Sequence, residues 1–495
     1  MRKILTVGKW ILFLILLIAA VAVAARITGR KASERKYADL YAADNADVLF
    51  LGSSHLINAV NPVQLYQEYG IASYNLGGHG SILPATYYEL LCALDVFSPQ
   101  LVVVDCYMMD RDYHYVDIMT DDFTDEDRAS SVSQLHLNLD VFPLSRTKLH
   151  AVRDLISDQS IQMEFLFPFI TYHSRWSELE GDDFAPSSAS AKANHLLGAE
   201  IRMNVAWQIA PHTMGDDELS DEPHMGEQYL QMILQTCRER GIDVALTFLP
   251  CNSTAVDRQM AARMEAVAQA EGIPALNMLE DDPTDLHTDY NDEGHLNLLG
   301  MTRTTDRIGS FLRDAYALPD RRGDAAYQLW ADRAAEYDRS CREQLSESTS
   351  LTEALLLLAG SPDALSAVLY LSGSGKAVAD PAVLHLTDAL APGNTLRDAP
   401  PESPLLLVLP SSGEALGFAG YQVTDWEESA IGPLEVIQVE NFTGVYLHHD
   451  ESDNLLNMDE ERLADAQLIL LSADGSEIEE HLIFNYPRMI TGDTE

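Results

Sequence analysis

At 495 residues the chain is too long for one ordinary domain, so two or more are expected. Hydrophobic content of 46% and aromatic content of 8% fit globular domains with real cores and argue against a mainly disordered protein. A formal net charge of -45, from 77 acidic residues against 32 basic ones, argues against nucleic-acid binding by a broad basic face. It also disfavours anionic lipid or polyphosphate, except at a local cationic patch.

Residues 1–29 read as a membrane anchor or signal. Trp10 to Ala25 is uninterrupted by charge, continues past Arg26 to Ile27, and follows Arg2, Lys3 and Lys9. The run is short for a span, which needs roughly 20 apolar residues. Ala22-Val23-Ala24 also offers a signal-peptidase site. An uncleaved anchor is the preferred reading, and a secreted chain is the alternative. Arg26, Arg30, Lys31, Arg35 and Lys36 flank the far side, which weakens the positive-inside argument. The short N-terminal tail and signal-like layout still favour an extracytoplasmic folded portion. Residues 30–45 read as a polar stalk or short helix.

From residue 46 an alternating pattern begins. Asp47 to Gly52 reads as a strand, and a helix follows through Val63-Gln64-Leu65-Tyr66. Ile71 to Leu76 is a second strand, Ala85 to Val96 a helix, and Leu101 to Val104 a third strand. Fully apolar strands alternating with helices predict a parallel sheet covered on both faces. The alternation stops at about residue 110. Residues 110–222 are polar, aromatic-rich and irregular, and read as a long insertion, largely helical and loop. The α/β pattern then resumes: a helix over Gly226 to Arg240, a strand over Val244 to Leu249, a helix over Ala255 to Glu271 and a strand over Ile273 to Met278. A further helix is expected from about Leu298 to Ala315. One α/β domain over 46–320 is therefore predicted. Residues 321–350 read as a charged helical linker. From 351 to 495 basic residues almost vanish and short apolar strands such as Leu405 to Leu409 appear, which predicts a separate α+β or mostly β domain.

The five cysteines, Cys92, Cys106, Cys237, Cys251 and Cys341, are odd in number and show no CxxC spacing. Most fall in expected core elements, so buried free thiols are predicted, with no disulfide framework and no zinc site.

Two segments carry chemistry. Gly52-Ser53-Ser54-His55 lies where the first strand stops and a helix can begin. Asp292-Glu293-Gly294-His295 places an aspartate three residues before a histidine, close enough to orient it. The serine follows the first strand and the histidine the last. Sites in open α/β sheets gather at the carboxyl ends of strands, so a serine–histidine–aspartate site is expected.

Over about Asp47 to Ala317 the chain resembles SGNH/GDSL hydrolases. Gly52-Ser53-Ser54 takes the place of the family's Gly-Asp-Ser block, Asn75-Leu76-Gly77-Gly78-His79-Gly80 resembles the second block, and Asp292-Glu293-Gly294-His295 matches the closing DxxH. The resemblance implies a three-layer, flavodoxin-like α/β fold with Ser54 as nucleophile, His295 as base and Asp292 as its orienter. It implies backbone N–H groups of Ser54 and Gly77 as oxyanion donors. The third block normally supplies an asparagine; here the strand ends Val104-Asp105-Cys106-Tyr107. An ionised Asp105 accepts hydrogen bonds and does not donate them. The altered first block, the N-terminal anchor and the aromatic insertion with Tyr172-His173-Ser174-Arg175-Trp176 are similar to DltD-like and AlgJ-like envelope proteins. Those work beside membrane-bound O-acyltransferases and modify cell-surface polymers.

Plainer readings stand beside these. Ser54 could cap the following helix. Asp292 could cap the helix after it, and His295 could be a surface-loop histidine. Gly77 could serve only a tight turn. His79, His173 and Arg175 are candidate substrate contacts, with packing or partner contact as the alternative for the last two. The Phe165–Phe169 run reads as core or membrane-facing surface. A calcium loop from Asp289 fails where a glutamate is needed, because the residue there is Gly300; no metal and no cofactor are expected.

The predicted function is a membrane-anchored, extracytoplasmic serine esterase or O-acyltransferase acting on an acylated cell-envelope polymer, polysaccharide or teichoic acid. The alternative is a non-catalytic accessory protein of the same fold that binds such a polymer or a membrane-bound O-acyltransferase.

Overall fold

The structure, a computed structural model, describes residues 2–29, 31–110, 125–167, 169–190, 192–213, 215, 219, 222–360, 365–392, 396, 399–400, 402–440, 442–449, 452–457 and 464–486. The chain divides into two compact units. The first holds Met1–Glu200, His212–Pro283 and Thr304–Arg333; the second holds Ile201–Pro211, Thr284–Arg303 and Ala334–Glu495.

The first unit opens with helix α1 (Arg2–Thr28) and the short helix α2 (Ala32–Lys36). Over Thr6–Thr28, α1 is long and apolar enough to cross a membrane. The segment read as a stalk is packed: Lys31, Ser33, Lys36, Tyr37, Asp39, Leu40 and Ala43 are all buried. Lys31, Lys36 and Asp39 find partners inside the unit, which a reading of polarity alone could not anticipate.

Five strands follow: β1 (Val48–Leu51), β2 (Ser73–Asn75), β3 (Leu101–Asp105), β4 (Asp243–Phe248) and β5 (Ala275–Asn277). They form one parallel sheet in the order β2-β1-β3-β4-β5. Val48, Leu49, Phe50, Leu51 and Leu101 to Val104 are fully buried, which is why their sequence is apolar without alternation. Helices α3 (Ser54–Ala59), α4 (Pro62–Tyr69) and α5 (Leu83–Ala93) connect the first three strands. The doubly wound α/β architecture predicted from the alternation is therefore present, with β1 and β3 flanking the point where the winding reverses.

The expected insertion carries helices α6 (Asp125–Leu139), α7 (Arg146–Leu155), α8 (Gln159–Leu166) and α9 (Phe169–Tyr172), then 3₁₀ turns at His173–Ser177, Gly181–Phe184 and Ser187–Ala189. Residues 111–124, 168, 191, 214, 216–218, 220 and 221 of the predicted insertion lie outside the described residues. Helix α10 (Met225–Arg240) precedes β4, and α11 (Ala255–Glu271) lies between β4 and β5. A capping box of Thr254 with Asp257 starts α11, and Gly272 in the left-handed region ends it. Both signals are local, so the predicted bounds of this helix match the observed ones. Helices α12 (Leu298–Ala315) and α13 (Gln328–Ser346) follow.

The second unit is built on antiparallel strands. β6 (Ser366–Leu371), β7 (Leu405–Leu409), β8 (Leu416–Ala419), β13 (Ala466–Leu471) and β14 (Ile478–Phe484) form one sheet in the order β14-β13-β6-β7-β8. β9 (Gln422–Val423), β10 (Leu434–Val439), β11 (Phe442–His449) and β12 (Ser452–Asn457) form another. A common core of Val368, Leu406, Val408, Val436, Val445 and Ile469 joins them. Helices α14 (Leu351–Gly360) and α15 (Pro381–Leu390) pack on each other. An α+β or mostly β region was expected from 351 onward, and its strands pair antiparallel.

The first boundary differs from the predicted single 46–320 domain, because residues 201–211 and 284–303 belong to the second unit. Their bonds explain the assignment. Thr302 Oγ1 donates to the Gly360 carbonyl at 3.3 Å, His287 stacks on His385 at 4.9 Å, and the Leu298 side chain lies where a Cβ on Gly360 would fall. All five cysteines are buried thiols outside any disulfide. Burial pushes the Cys92 and Cys237 thiols up to about 12 and Cys106 well above its ordinary value, so these three are poor thiolate nucleophiles.

Candidate active site

The serine turn sits in the first unit, at the carboxyl end of β1. Gly52 is required by packing: a Cβ there would stand 2.9 Å from Asp105 Cβ at the end of β3. Ser53 is the N-cap of α3, with extended backbone (φ -89°, ψ -165°) and a side chain accepting from the His55 N–H at 3.3 Å. Capping therefore falls to Ser53, and Ser54 becomes the first helical residue. The plain reading in which Ser54 caps the helix is corrected by one position. Ser53 is buried, whereas Ser54 is half-buried. His55 is buried too, and its ring stacks on Tyr107 at 3.7 Å.

The glycine block lies directly against this turn. Gly78 N–H donates to the Gly52 carbonyl at 2.9 Å. A Cβ on Gly77 would fall 2.9 Å from the Ser53 carbonyl and 2.8 Å from Ile57, so close packing alone demands glycine. The Gly77 N–H donates to Asn75 Oδ1 at 2.9 Å. Asn75 Nδ2 in turn donates to the carbonyls of Leu56 and Val60 at 3.0 and 2.9 Å, tying the end of α3 to the end of β2. The amide expected to face an oxyanion thus has an internal acceptor.

A buried polar network that the sequence did not announce lies behind the block. Lys36 Nζ donates to the Gly77 carbonyl at 2.8 Å and to Tyr37 Oη at 2.7 Å. Burial pulls the Lys36 amine down, against the attraction of Glu200 and Glu89. Burial pushes the Glu89 carboxyl up, against Lys36 and the Ser81 hydroxyl. The only sequence signal was a lysine in a segment that looked like stalk.

His79 pairs with Glu200 at 3.0 Å through Nε2, while its backbone exchanges hydrogen bonds with the Asn138 side chain of α6 at 3.1 Å. These bonds fasten the glycine block to the insertion. His173 Nδ1 bonds the Ile170 carbonyl at 2.8 Å. The Arg175 guanidinium donates to the carbonyls of Thr28 and Gly29 at 3.0 and 2.6 Å and approaches Asp183 at 3.4 Å. His173 is exposed and bonds within its own turn, and Arg175 serves the end of α1.

At the end of β3, Asp105 is fully buried. Its Oδ1 accepts from the Leu249 N–H at 3.3 Å, while Oδ2 is enclosed without a hydrogen-bond partner. Burial pushes its carboxyl up to about 7, against backbone hydrogen bonds from Leu249, Tyr107 and Cys106. The carboxyl thus keeps a sizeable neutral fraction near pH 7, a form that can donate as well as accept.

In the second unit, residues 290–296 form a tight loop closed by a Tyr290–Leu296 bridge and by Asn291 N–H donating to the His295 carbonyl at 2.8 Å. Within it His295 Nδ1 and Asp292 Oδ1 are 2.8 Å apart. Asp292 also accepts from Gly294 N–H at 3.0 Å and from Asn291 Nδ2 at 2.8 Å. Burial opposes its ionisation, but these hydrogen bonds and His295 outweigh it and hold the carboxyl below its ordinary value. The pair is partly open, with side chains 31% and 51% exposed for His295 and Asp292. Asp292 is not the cap of α12. Asn297 has that task, its Oδ1 accepting from Leu299 and Gly300 N–H at 3.0 and 3.2 Å. Among the described residues, no group of three or more His, Cys, Asp or Glu is arranged to hold a metal ion.

The expected aspartate–histidine pair is therefore formed, and the serine turn meets the glycine block. These two constellations belong to different compact units.

No family model matches the chain, and no curated protein matches it. Among solved structures, it is similar to a "putative acylhydrolase" from Bacteroides fragilis, at 11% identity over 55% of this chain and 86% of that one, with a TM-score of 0.26. It is also similar to a GDSL-like lipase from Bacteroides thetaiotaomicron, at 12% identity over 58% of this chain and 98% of that one, again with a TM-score of 0.26. Likeness at this level carries no weight for activity, which rests on the chain's own residues.

Proposed function

We propose that the chain is a membrane-anchored, extracytoplasmic serine esterase or O-acyltransferase of the SGNH kind, acting on an acylated cell-envelope polymer. The Asp292–His295 hydrogen bond of 2.8 Å carries this reading. It fixes an imidazole tautomer beside a carboxylate that is held ionised, as a general base requires. Ser54, at the reversal point of the parallel sheet, is the proposed nucleophile.

In the proposed reaction His295 Nε2 takes the Ser54 hydroxyl proton as Oγ attacks the ester carbonyl. Asp292 stabilises the imidazolium. The tetrahedral intermediate collapses, His295 delivers the proton to the departing alcohol oxygen, and an acyl-serine remains. His295 then takes a proton from the second acceptor as its oxygen attacks the acyl carbonyl, and returns that proton to Ser54 Oγ as the acyl–Oγ bond breaks. Water yields a free acid, and a polymer hydroxyl yields a transferred acyl ester. The Ser54 N–H is one oxyanion donor. Gly77 N–H joins it by exchanging Asn75 Oδ1 for the oxyanion. No cofactor is needed for these steps. A membrane-bound O-acyltransferase is the proposed partner of the transfer variant.

Full-length protein in detergent should hydrolyse an aryl acetate and be labelled by a fluorophosphonate, and Ser54→Ala should lose both. Equal hydrolysis and labelling in the two proteins would remove Ser54 as nucleophile. Protease added outside intact cells should digest the acidic second unit; full protection would overturn the extracytoplasmic placement.

The internal bond of the Gly77 amide favours a second reading, a non-catalytic accessory of the same fold. Retained polymer binding in a wild-type chain that neither hydrolyses esters nor reacts with the phosphonate would support it.

A further inference from the structure

The folded unit begins on the last turn of α1, with no spacer. Side chains of α1 are exposed from Thr6 to Val23, Ala24, Ala25 and Ile27 are partly covered, and Thr28 is buried. The carbonyls of Thr28 and Gly29 at its carboxyl end accept from the Arg175 guanidinium at 3.0 and 2.6 Å, which satisfies groups a helix end leaves open. α1 packs against α9 and against the turns at His173–Ser177 and Gly181–Phe184. Lys31, just beyond α1, donates to the carbonyls of Asp183 and Ala185 at 2.5 and 3.0 Å. Residues 169–185 thus form a collar bonded to the base of the apolar helix.

Large apolar side chains on and beside this collar are open to solvent. Trp176 is 73% exposed, Phe184 65%, and Phe167 and Ile170 47% each. Scattered surface hydrophobics need no explanation, but four grouped in one short stretch beside an apolar helix do.

We propose that the collar is an interfacial docking surface whose occupant is the headgroup–acyl boundary of the bilayer that α1 crosses. The inference rests on the anchor reading of α1 given above. Length supports the placement: the 23 residues of Thr6–Thr28 span about 34 Å at the helical rise, against roughly 30 Å of hydrocarbon. The last turn of α1 therefore lies at the boundary, and the residues bonded to it lie at the same level. Tryptophan and other aromatic side chains suit that depth. The collar is not polybasic, since Arg35 pairs with Asp182 at 2.6 Å and Glu178 and Glu180 lie within the same stretch. Apolar insertion, and not attraction to anionic lipid, holds it there, so docking is insensitive to anionic lipid content.

The test places full-length protein in phosphatidylcholine nanodiscs. Trp176→Cys, Phe184→Cys, Ile15→Cys and Gln235→Cys each carry an environment-sensitive thiol dye, the native cysteines being buried. Lipids bearing nitroxides near the headgroup should quench the dyes at 176 and 184 and shift their emission to the blue. Deep nitroxides should quench the dye at 15, and the dye at 235 should lose no emission. Quenching at 15 but not at 176 and 184 would overturn the collar while leaving the anchor intact. No quenching at 15 would remove the anchor, and the collar with it. Quenching at 176 and 184 that requires anionic lipid, or shielding there only after a membrane protein is added, would overturn apolar docking to lipid.

Discussion

The serine turn and the aspartate–histidine loop hold their side chains by opposite means. Around Ser54 the constraints are long-range: Gly52 is squeezed by Asp105 of β3, Gly77 presses on the Ser53 carbonyl, and Asn75 clamps the end of α3. Around His295 the bonds of Asp292 to Asn291, Gly294 and His295 are local, while Asn204 and Ala206 hold the loop itself through Asn291 and Tyr290. A proposed nucleophile placed by a packed sheet and a proposed base placed by a short loop should respond differently to mutation. The sheet side fails through stability and the loop side through geometry.

The largest expected effect tests whether the two sides act as one device. Ser54→Ala and His295→Ala should each lower kcat by roughly 10⁴-fold or more, and the double variant should be no worse than either. Losses that multiply would mean that the two residues work independently, and the triad would fall.

Asp292→Asn should cost less, up to roughly 10⁴-fold, because it leaves the loop in place but favours the wrong imidazole tautomer. Unchanged kcat in a correctly folded Asp292→Asn protein would leave His295 without its proposed orienter. Thermal midpoints should stay near wild type, since the carboxylate is half exposed.

On the sheet side the informative titration is that of Asp105. Its carboxyl, pushed up to about 7 by burial, binds its proton more tightly in the native state than in the unfolded chain, where the value is about 3.9. The resulting stability is complete below about pH 4 and is lost as pH rises through about 7, with a limiting slope of about 1.4 kcal/mol per pH unit. Asp105→Asn removes the titrating group, so its stability relative to wild type should grow between about pH 5 and 8. Denaturation midpoints of the two proteins across that range check it. Parallel pH profiles would mean that Asp105 is not the buried acid described here.

Legibility followed the range of the interactions. β1, β3, α11 and α12 were readable because apolar runs, caps and glycines are encoded within a few residues. The Asp292–His295 pair was readable for the same reason, four consecutive residues of one loop sufficing to form it. The packing of residues 31–46 was not, because Lys36 is buried by virtue of the Gly77 carbonyl and Tyr37, and one of those lies forty-one positions away. The assignment of the loop at 284–303 to the second unit escaped for a similar reason, since its contacts with Gly360 and His385 leave no local trace. Ser54 read as the nucleophile with helix capping as its plainer alternative, and the sequence did not point to Ser53 as the cap, because a serine can cap any helix that starts within one residue of it.

That last ambiguity yields the smallest effect and the sharpest separation. Ser53 caps α3 through its bond from the His55 N–H, so Ser53→Ala should cost about 1 kcal/mol of stability. It should leave phosphonate labelling and ester hydrolysis in place once the protein is folded. Ser54→Ala should do the reverse, abolishing labelling with little change in the denaturation midpoint. If Ser53→Ala abolished labelling at a temperature where the protein is fully folded, the nucleophile would be one residue earlier, and Ser54 would be only the first residue of α3.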